Sequence, residues 1–148
     1  MKLHGTMSVK NNELHIGDLS CTQLAKQYQT PLYVFDEALI RQNCRDYITH
    51  FKGKENKNRV AYAGKAFLPL YMCRLIHEEG LYLDVVSGGE LYTAYKAGFP
   101  MDRILFHGNN KTLDEINLGL DLGVGVFVVD NYYELDILQT LCEEKNKT

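Results

Sequence analysis

Arg59-Val60-Ala61-Tyr62-Ala63-Gly64-Lys65-Ala66-Phe67 reads as a short strand that ends in a lysine. Side chains alternate along a strand, so Ala61, Ala63 and Lys65 are expected on one face, with Val60 and Tyr62 on the other. Two alanines leave an open floor beneath an amine. Gly64 lets the backbone turn there and lets another group come close. A lysine seated in this way has room to hold a flat carbonyl compound as an imine. The plainer alternative is a solvated lysine at a strand end, as most lysines are.

This strand is the first of a series. Strand centres fall at Ala61, Leu83, Leu105 and Phe127, each 22 residues after the last. Helical patterns fill the intervals, at about 68–79, 91–97, 113–122 and 132–144. Strand and helix alternating at a fixed short interval indicate repeated βα units, a parallel sheet and right-handed crossovers. Val124-Gly125-Val126-Phe127-Val128-Val129 is almost wholly apolar, which predicts a strand buried on both faces. The fold class is α/β. Short regular units favour a (β/α)8 TIM-type barrel over a Rossmann sheet, and no Gly-x-Gly-x-x-Gly follows the first strand. Four units make the N-terminal half of such a barrel, so the chain is expected to be a fragment or truncated product.

Upstream, Glu13-Leu14-His15-Ile16 alternates as a strand. Ser20 to Gln23 has capping spacing for a short helix running to Tyr28, and Thr30-Pro31 stops it. Leu32-Tyr33-Val34-Phe35 is rich in strand formers, and Asp36 is placed to cap a longer helix. On that helix Ile40, Cys44, Tyr47, Ile48 and Phe51 share one face. The charged run Lys52–Asn58 is the clearest break. The domain reading is a strand-helix segment over 1–36, then the half-barrel over 37–148.

Composition narrows the class. The chain has 148 residues, 45% hydrophobic, with a net charge of −3. No basic patch suggests nucleic acid or an anionic membrane surface, and no run nears the roughly 18 apolar residues of a membrane span. The four cysteines are scattered without a Cys-x-x-Cys, which argues against zinc and for a reducing cytoplasmic setting. Cys44 and Cys73 fall on apolar stripes.

In a barrel the chemistry sits at the C-terminal ends of the strands. Those ends carry Lys65, then Asp84-Val85-Val86-Ser87-Gly88-Gly89-Glu90, then His107-Gly108-Asn109-Asn110-Lys111, then Asp130-Asn131. Ser87-Gly88-Gly89-Glu90 could be a phosphate loop, but Ser-x-x-Glu reads better as a capping box for a helix starting at Leu91. Thr112-Leu113-Asp114-Glu115 is a second box, and Asp130 is the expected cap of the fourth helix.

Tyr62-Ala63-Gly64-Lys65-Ala66, Leu83-Asp84-Val85-Val86-Ser87-Gly88-Gly89-Glu90-Leu91 and Phe106-His107-Gly108-Asn109-Asn110-Lys111, in that order and spacing, resemble the diaminopimelate decarboxylases. These belong to the pyridoxal-phosphate decarboxylases with an alanine-racemase-like barrel. Pro31-Leu32-Tyr33-Val34-Phe35-Asp36 fits the start of that family too. The resemblance implies that Lys65 is the catalytic lysine bound to pyridoxal 5'-phosphate as an imine. Such a lysine must reach a neutral state, which desolvation beside Ala61 and Ala63 would help. It places Asp84 near the cofactor and Lys65, against the alternative of a turn aspartate. His107 lines the same rim or is only structural.

The implied reaction of the full-length protein converts meso-2,6-diaminopimelate to L-lysine and carbon dioxide. Related ornithine or arginine decarboxylases, a racemase or binding protein on the same barrel, and a non-enzymatic βα fragment remain as alternatives. By the resemblance, the groups for the cofactor phosphate, the pyridine nitrogen and the substrate carboxylate lie beyond Thr148. So does a β-rich second domain, to which the strand near Leu14 belongs; in this chain that strand is expected to lack neighbours. Also implied are a cytoplasmic homodimer, an amino-acid substrate, and no nucleic-acid or membrane partner. The 148 residues alone are expected to be inactive and poorly stable.

Overall fold

The computed structural model describes residues 2–51, 53 and 58–147. Lys52 and residues 54–57 of the expected loop, and Thr148, lie outside the described residues. The chain divides into two units, Met1–Thr49 and His50–Thr148, taken separately below.

In the first unit, β1 (Met7–Lys10), β2 (Glu13–Ile16) and β3 (Leu19–Ser20) form an antiparallel sheet in that order. Asn11 and Asn12 both take positive φ, as a two-residue hairpin turn requires, and asparagine tolerates it better than most residues. The strand at Glu13–Ile16 therefore has β1 and β3 as neighbours, against the expectation that it would stand alone. Ser20 is the cap of α1 (Cys21–Tyr28): Gln23 N donates to its Oγ at 3.3 Å.

Leu32–Phe35 joins neither sheet. Strand propensity only states that a residue suits a half-buried ladder, and these four side chains are exposed, Tyr33 at 90%. Asp36 does cap α2 (Glu37–His50), accepting from Leu39 N at 3.0 Å. Its other oxygen accepts from Thr6 N and Thr6 Oγ1 at 2.8 and 2.7 Å. Desolvation pushes this carboxyl's pKa up, but the donors of Thr6, Leu39 and Ala38 outweigh it and hold the group below the usual aspartate range. On the expected apolar face of α2 only Cys44 is buried; Tyr47, Ile48 and Phe51 are exposed.

The second unit carries the parallel sheet β4 (Ala61–Ala63), β5 (Tyr82–Val85), β6 (Ile104–Phe106), β7 (Val126–Phe127) in sequence order. Between and after these strands run α3 (Leu70–Glu78), α4 (Gly88–Lys96), α5 (Leu113–Leu122) and α6 (Tyr132–Glu144). This is the βα order of a partial barrel. Ladder partners are Ala61 with Tyr82, Leu83 with Ile104, and Leu105 with Val126, always 21 positions apart. The strands themselves start at 61, 82, 104 and 126. β4 and β5 start level, and β6 and β7 each start one position further along the ladder than the strand before, the kind of stagger that barrel closure requires.

The two faces of this sheet differ. Leu83, Val85, Ile104 and Phe106 are fully buried on one. Met72, Cys73, Leu75 and Ile76 of α3, Leu91 and Ala94 of α4, and Ile116 of α5 complete that core. Ile116 and Leu120 pack with Leu138 and Leu141 of α6, against Phe127. The opposite face presents Ala61, Ala63, Tyr82, Asp84, Leu105 and Val126, none of them buried. β7 departs from expectation. Its ladder spans only Val126–Phe127, both half-buried, and Val129 is 39% exposed. Among the described residues it has a strand on one side only, so nothing completes the burial of its second flank. No helix among the described residues is long and apolar enough to cross a membrane.

Candidate functional site

The C-terminal ends of β4 to β7 lie side by side along one rim, because the sheet is parallel and in sequence order. Beyond Ala63 the strand coils into a single 3-10 turn, Gly64–Ala66, closed by Phe67 N donating to Gly64 O at 3.1 Å. Simple alternation therefore stops at Ala63, and Lys65 is presented from the turn rather than from the strand. Tyr62 Oη braces the turn by donating to Phe67 O at 2.8 Å. Gly64 is required by contact: a Cβ there would stand 2.9 Å from Asp84 O and 3.0 Å from Leu68. Lys65 itself is exposed, not desolvated as expected, and makes no hydrogen bond or ion pair with any described residue.

Asp84 lies on β5 as the ladder partner of Ala63, on the open face of the sheet. His107 follows β6, and its N–H donates to Val85 O at 2.8 Å, extending the ladder by one bond. The two side chains meet, His107 Nδ1 to Asp84 Oδ1 at 2.8 Å, with 52% and 21% of their areas exposed. An ionised carboxylate only accepts, so Nδ1 is the donor and neutral His107 keeps Nε2 as an acceptor. Asp84 and His107 are thus brought together. Lys65 is on the adjoining strand end, two positions past Asp84's ladder partner.

The glycine-rich segment behaves as a helix start. Ser87 caps α4, with Glu90 N donating to its Oγ at 3.3 Å, and the helix begins at Gly88, ahead of the expected Leu91. Glu90 does not close a box; its Oε2 accepts from Val86 N at 2.7 Å. Gly88 N is also taken, by Glu115 Oε1 at 2.7 Å. Thr112 and Glu115 do form a full capping box on α5. The N–H of Thr112 above all, with Gly88 N, Thr112 Oγ1 and the nearby Lys111 charge, holds the Glu115 carboxyl below the usual glutamate range against desolvation. α6 is capped by Asn131, not Asp130: Glu134 N donates to Asn131 Oδ1 at 2.9 Å, because the helix starts one residue later than Asp130 could serve.

Lys111, which like Asn109 reads from sequence as a weaker candidate than His107, is tightly constrained in space. Its side chain is 1% exposed, and Nζ lies 2.8 Å from Glu134 Oε1, itself on a side chain 5% exposed. Nζ also donates to Gly108 O at 2.6 Å and Val128 O at 3.0 Å. The contact with Glu134 is ionic and off the direction of a hydrogen bond, since Glu134 Oε1 accepts none. A signal for the pair was available. Lys111 follows β6 and Glu134 follows β7 at nearly one repeat's separation, so they hold similar places in successive units.

The family model described as "Pyridoxal-dependent decarboxylase, pyridoxal binding domain" matches residues 37–148. The chain is 50% identical over 147 residues to a diaminopimelate decarboxylase of Bacillus methanolicus, covering 99% of this chain and 34% of that protein. Among solved structures, it is similar to diaminopimelate decarboxylase from M. jannaschii in complex with L-lysine. There the TM-score is 0.90 at 37% identity, over 97% of this chain and 34% of that one. It is less similar to a lysine/ornithine decarboxylase complexed with putrescine from Vibrio vulnificus. That match has a TM-score of 0.71 at 26% identity, over 82% and 32% of the two chains. The chain spans about a third of the length of the relatives it matches.

Proposed function

Because this chain belongs to the pyridoxal-dependent decarboxylases, carrying their pyridoxal binding domain, we propose that it supplies the cofactor-anchoring amine of a diaminopimelate decarboxylase. In a protein of the relatives' full length, the reaction releases carbon dioxide from meso-2,6-diaminopimelate and leaves L-lysine, as the closing step of lysine synthesis. The observation that carries the reading is Lys65, an exposed amine free of described partners at the end of β4.

The residues present fit pyridoxal phosphate. An aldehyde needs an uncommitted amine and a flat ring needs room. Lys65 offers the first, and the small side chains Ala61 and Ala63 on the open sheet face leave the second. When bound, the cofactor provides an electron sink for the pair left by the departing carboxylate. Lys65 would anchor it covalently through Nζ and, once displaced by the substrate's own amine, would carry at Nζ the proton that replaces the lost carboxylate. Asp84, fixed in direction by His107, holds a carboxylate toward that face, where it orders positive charge on the cofactor or substrate.

Diaminopimelate is preferred to ornithine as substrate on the greater likeness to diaminopimelate decarboxylases, in both sequence and structure. A cytoplasmic setting agrees with the free thiols of Cys21, Cys44, Cys73 and Cys142. A homodimer is read from family likeness alone.

The test is direct. Pyridoxal phosphate is mixed with the protein, reduced with borohydride, and the digest is mapped. The expected result is one stoichiometric adduct, on the peptide holding Lys65; label scattered over surface lysines refutes the assignment. Release of carbon dioxide from diaminopimelate, compared with ornithine, by a protein of full family length then tests the substrate.

A further inference from the structure

The rim segment from His107 to Glu115 reaches into the units on both sides of it. His107 touches Asp84, and Glu115 takes Gly88 N. Lys111 points the other way, to Val128 O and Glu134. Of these, Lys111 is the one whose burial needs explaining, because a buried ammonium is costly unless paired and hydrogen-bonded. An ammonium has three donors. Lys111 Nζ meets Gly108 O at 2.6 Å, Val128 O at 3.0 Å and Glu134 Oε1 at 2.8 Å, which occupies its surroundings.

One of those acceptors belongs to the residue immediately after His107. Gly108 sits at φ +118°, where L side chains are strained, and a Cβ there would stand 3.2 Å from Val86 O. The turn is thus pressed against the continuation of β5 while Lys111 grips its carbonyl. On the other side, Val128 N donates to Phe106 O at 3.0 Å, so the residue whose carbonyl Lys111 holds is bonded through its own N–H to the residue just before His107. Both chain directions out of His107 are anchored within reach of one cation.

We propose that Lys111 is a positioning residue: its buried ammonium fixes the turn after His107 and so holds the imidazole Nδ1 on the Asp84 carboxylate. This rests on Asp84 and His107 belonging to the site. A pair serving stability alone would leave the state of His107 indifferent to the removal of both charges together.

The readout is the imidazole 15N spectrum of His107 in the cofactor-free protein, with the other four histidines as internal controls. The unaltered protein is expected to show His107 with its proton on Nδ1. Lys111→Met strands the Glu134 carboxylate, so the deciding variant is Lys111→Met with Glu134→Met, which removes both charges. The double variant is expected to fold and to lose the Nδ1–H form at His107 while the other histidines keep their spectra. A wild-type His107 spectrum in the folded double variant overturns the proposal, as does the absence of the Nδ1–H form in the unaltered protein. Should the double variant not fold, Lys111→Arg keeps the charge but moves the donors. Loss of the Nδ1–H form in Lys111→Arg supports the proposal and a wild-type spectrum overturns it. The borohydride adduct at Lys65 reports on the cofactor reading separately, since no histidine takes part in forming it.

Discussion

Asp84 and His107, 23 positions apart in sequence, meet across adjacent parallel strands with Oδ1 and Nδ1 2.8 Å apart. The carboxylate sets the ring's tautomer and the ring sets the carboxylate's direction. Asp84→Ala is expected to lower kcat/KM of a full-length protein by about 10²-fold, the order found on removing one preorganised electrostatic group. Stability should change little, because neither side chain is buried. Kinetics beside a urea titration will separate the two; wild-type kcat/KM in Asp84→Ala removes Asp84 from the site.

Lys65→Ala and Lys65→Arg are both expected to abolish the adduct with pyridoxal phosphate. Arginine keeps the charge but its guanidinium does not lose a proton in proteins, so it cannot replace the amine. Because Lys65 is exposed, the unfolding free energy should change by no more than about 0.5 kcal/mol in either variant. Persistent adduct in Lys65→Arg, traced to another lysine, would contradict the proposed chemistry.

Gly64→Ala probes the support under that lysine. The added methyl must displace Asp84 O or Leu68, a crowding that costs about 1–3 kcal/mol. The same displacement moves the turn carrying Lys65, so adduct formation is expected to slow along with the loss of stability. A variant that is as stable and as quickly labelled as the parent would show that the contact is slack.

Acid sensitivity follows from Asp36 and Glu115, both held below their ordinary values of 3.8 and 4.5. For a lowered folded pKa, the unfolded chain takes up protons first as pH falls. The stabilisation is therefore full above the ordinary values and is lost as pH drops through the folded ones. Glu115→Ala removes the partner of Thr112 N, Thr112 Oγ1 and Gly88 N, and is expected to cost about 1–2 kcal/mol at neutral pH. It should also flatten the fall in urea midpoint below about pH 5. An unchanged acid slope in Glu115→Ala would assign that slope to other carboxylates.

The parallel strands were legible because their apolar centres recur at a constant interval, and the helices at 113–122 and 132–144 match α5 and α6 to the residue. Lys65, Asp84 and His107 were legible as strand-end residues, but the contact between the last two depends on ladder register, which spacing alone does not fix. Leu32–Phe35 misled because strand propensity says nothing about whether a partner strand is present. Asp130 misled by a single position, since two adjacent residues could both cap and only the helix start chooses. The burial of Lys111 was not legible, because lysine is ordinarily a surface residue and this burial depends on a carboxylate one unit further along.

The constant ladder step of 21 constrains how this sequence can change in length. Removing one residue between β4 and β5 would, unless a loop absorbed it, carry Asp84 to the helix side and bring Leu83 out to meet solvent. Insertions and deletions are therefore tolerated only where the chain can take up slack without rotating a strand. Descendants of this protein should vary in length at the turns between elements and keep odd-numbered shifts out of the strands.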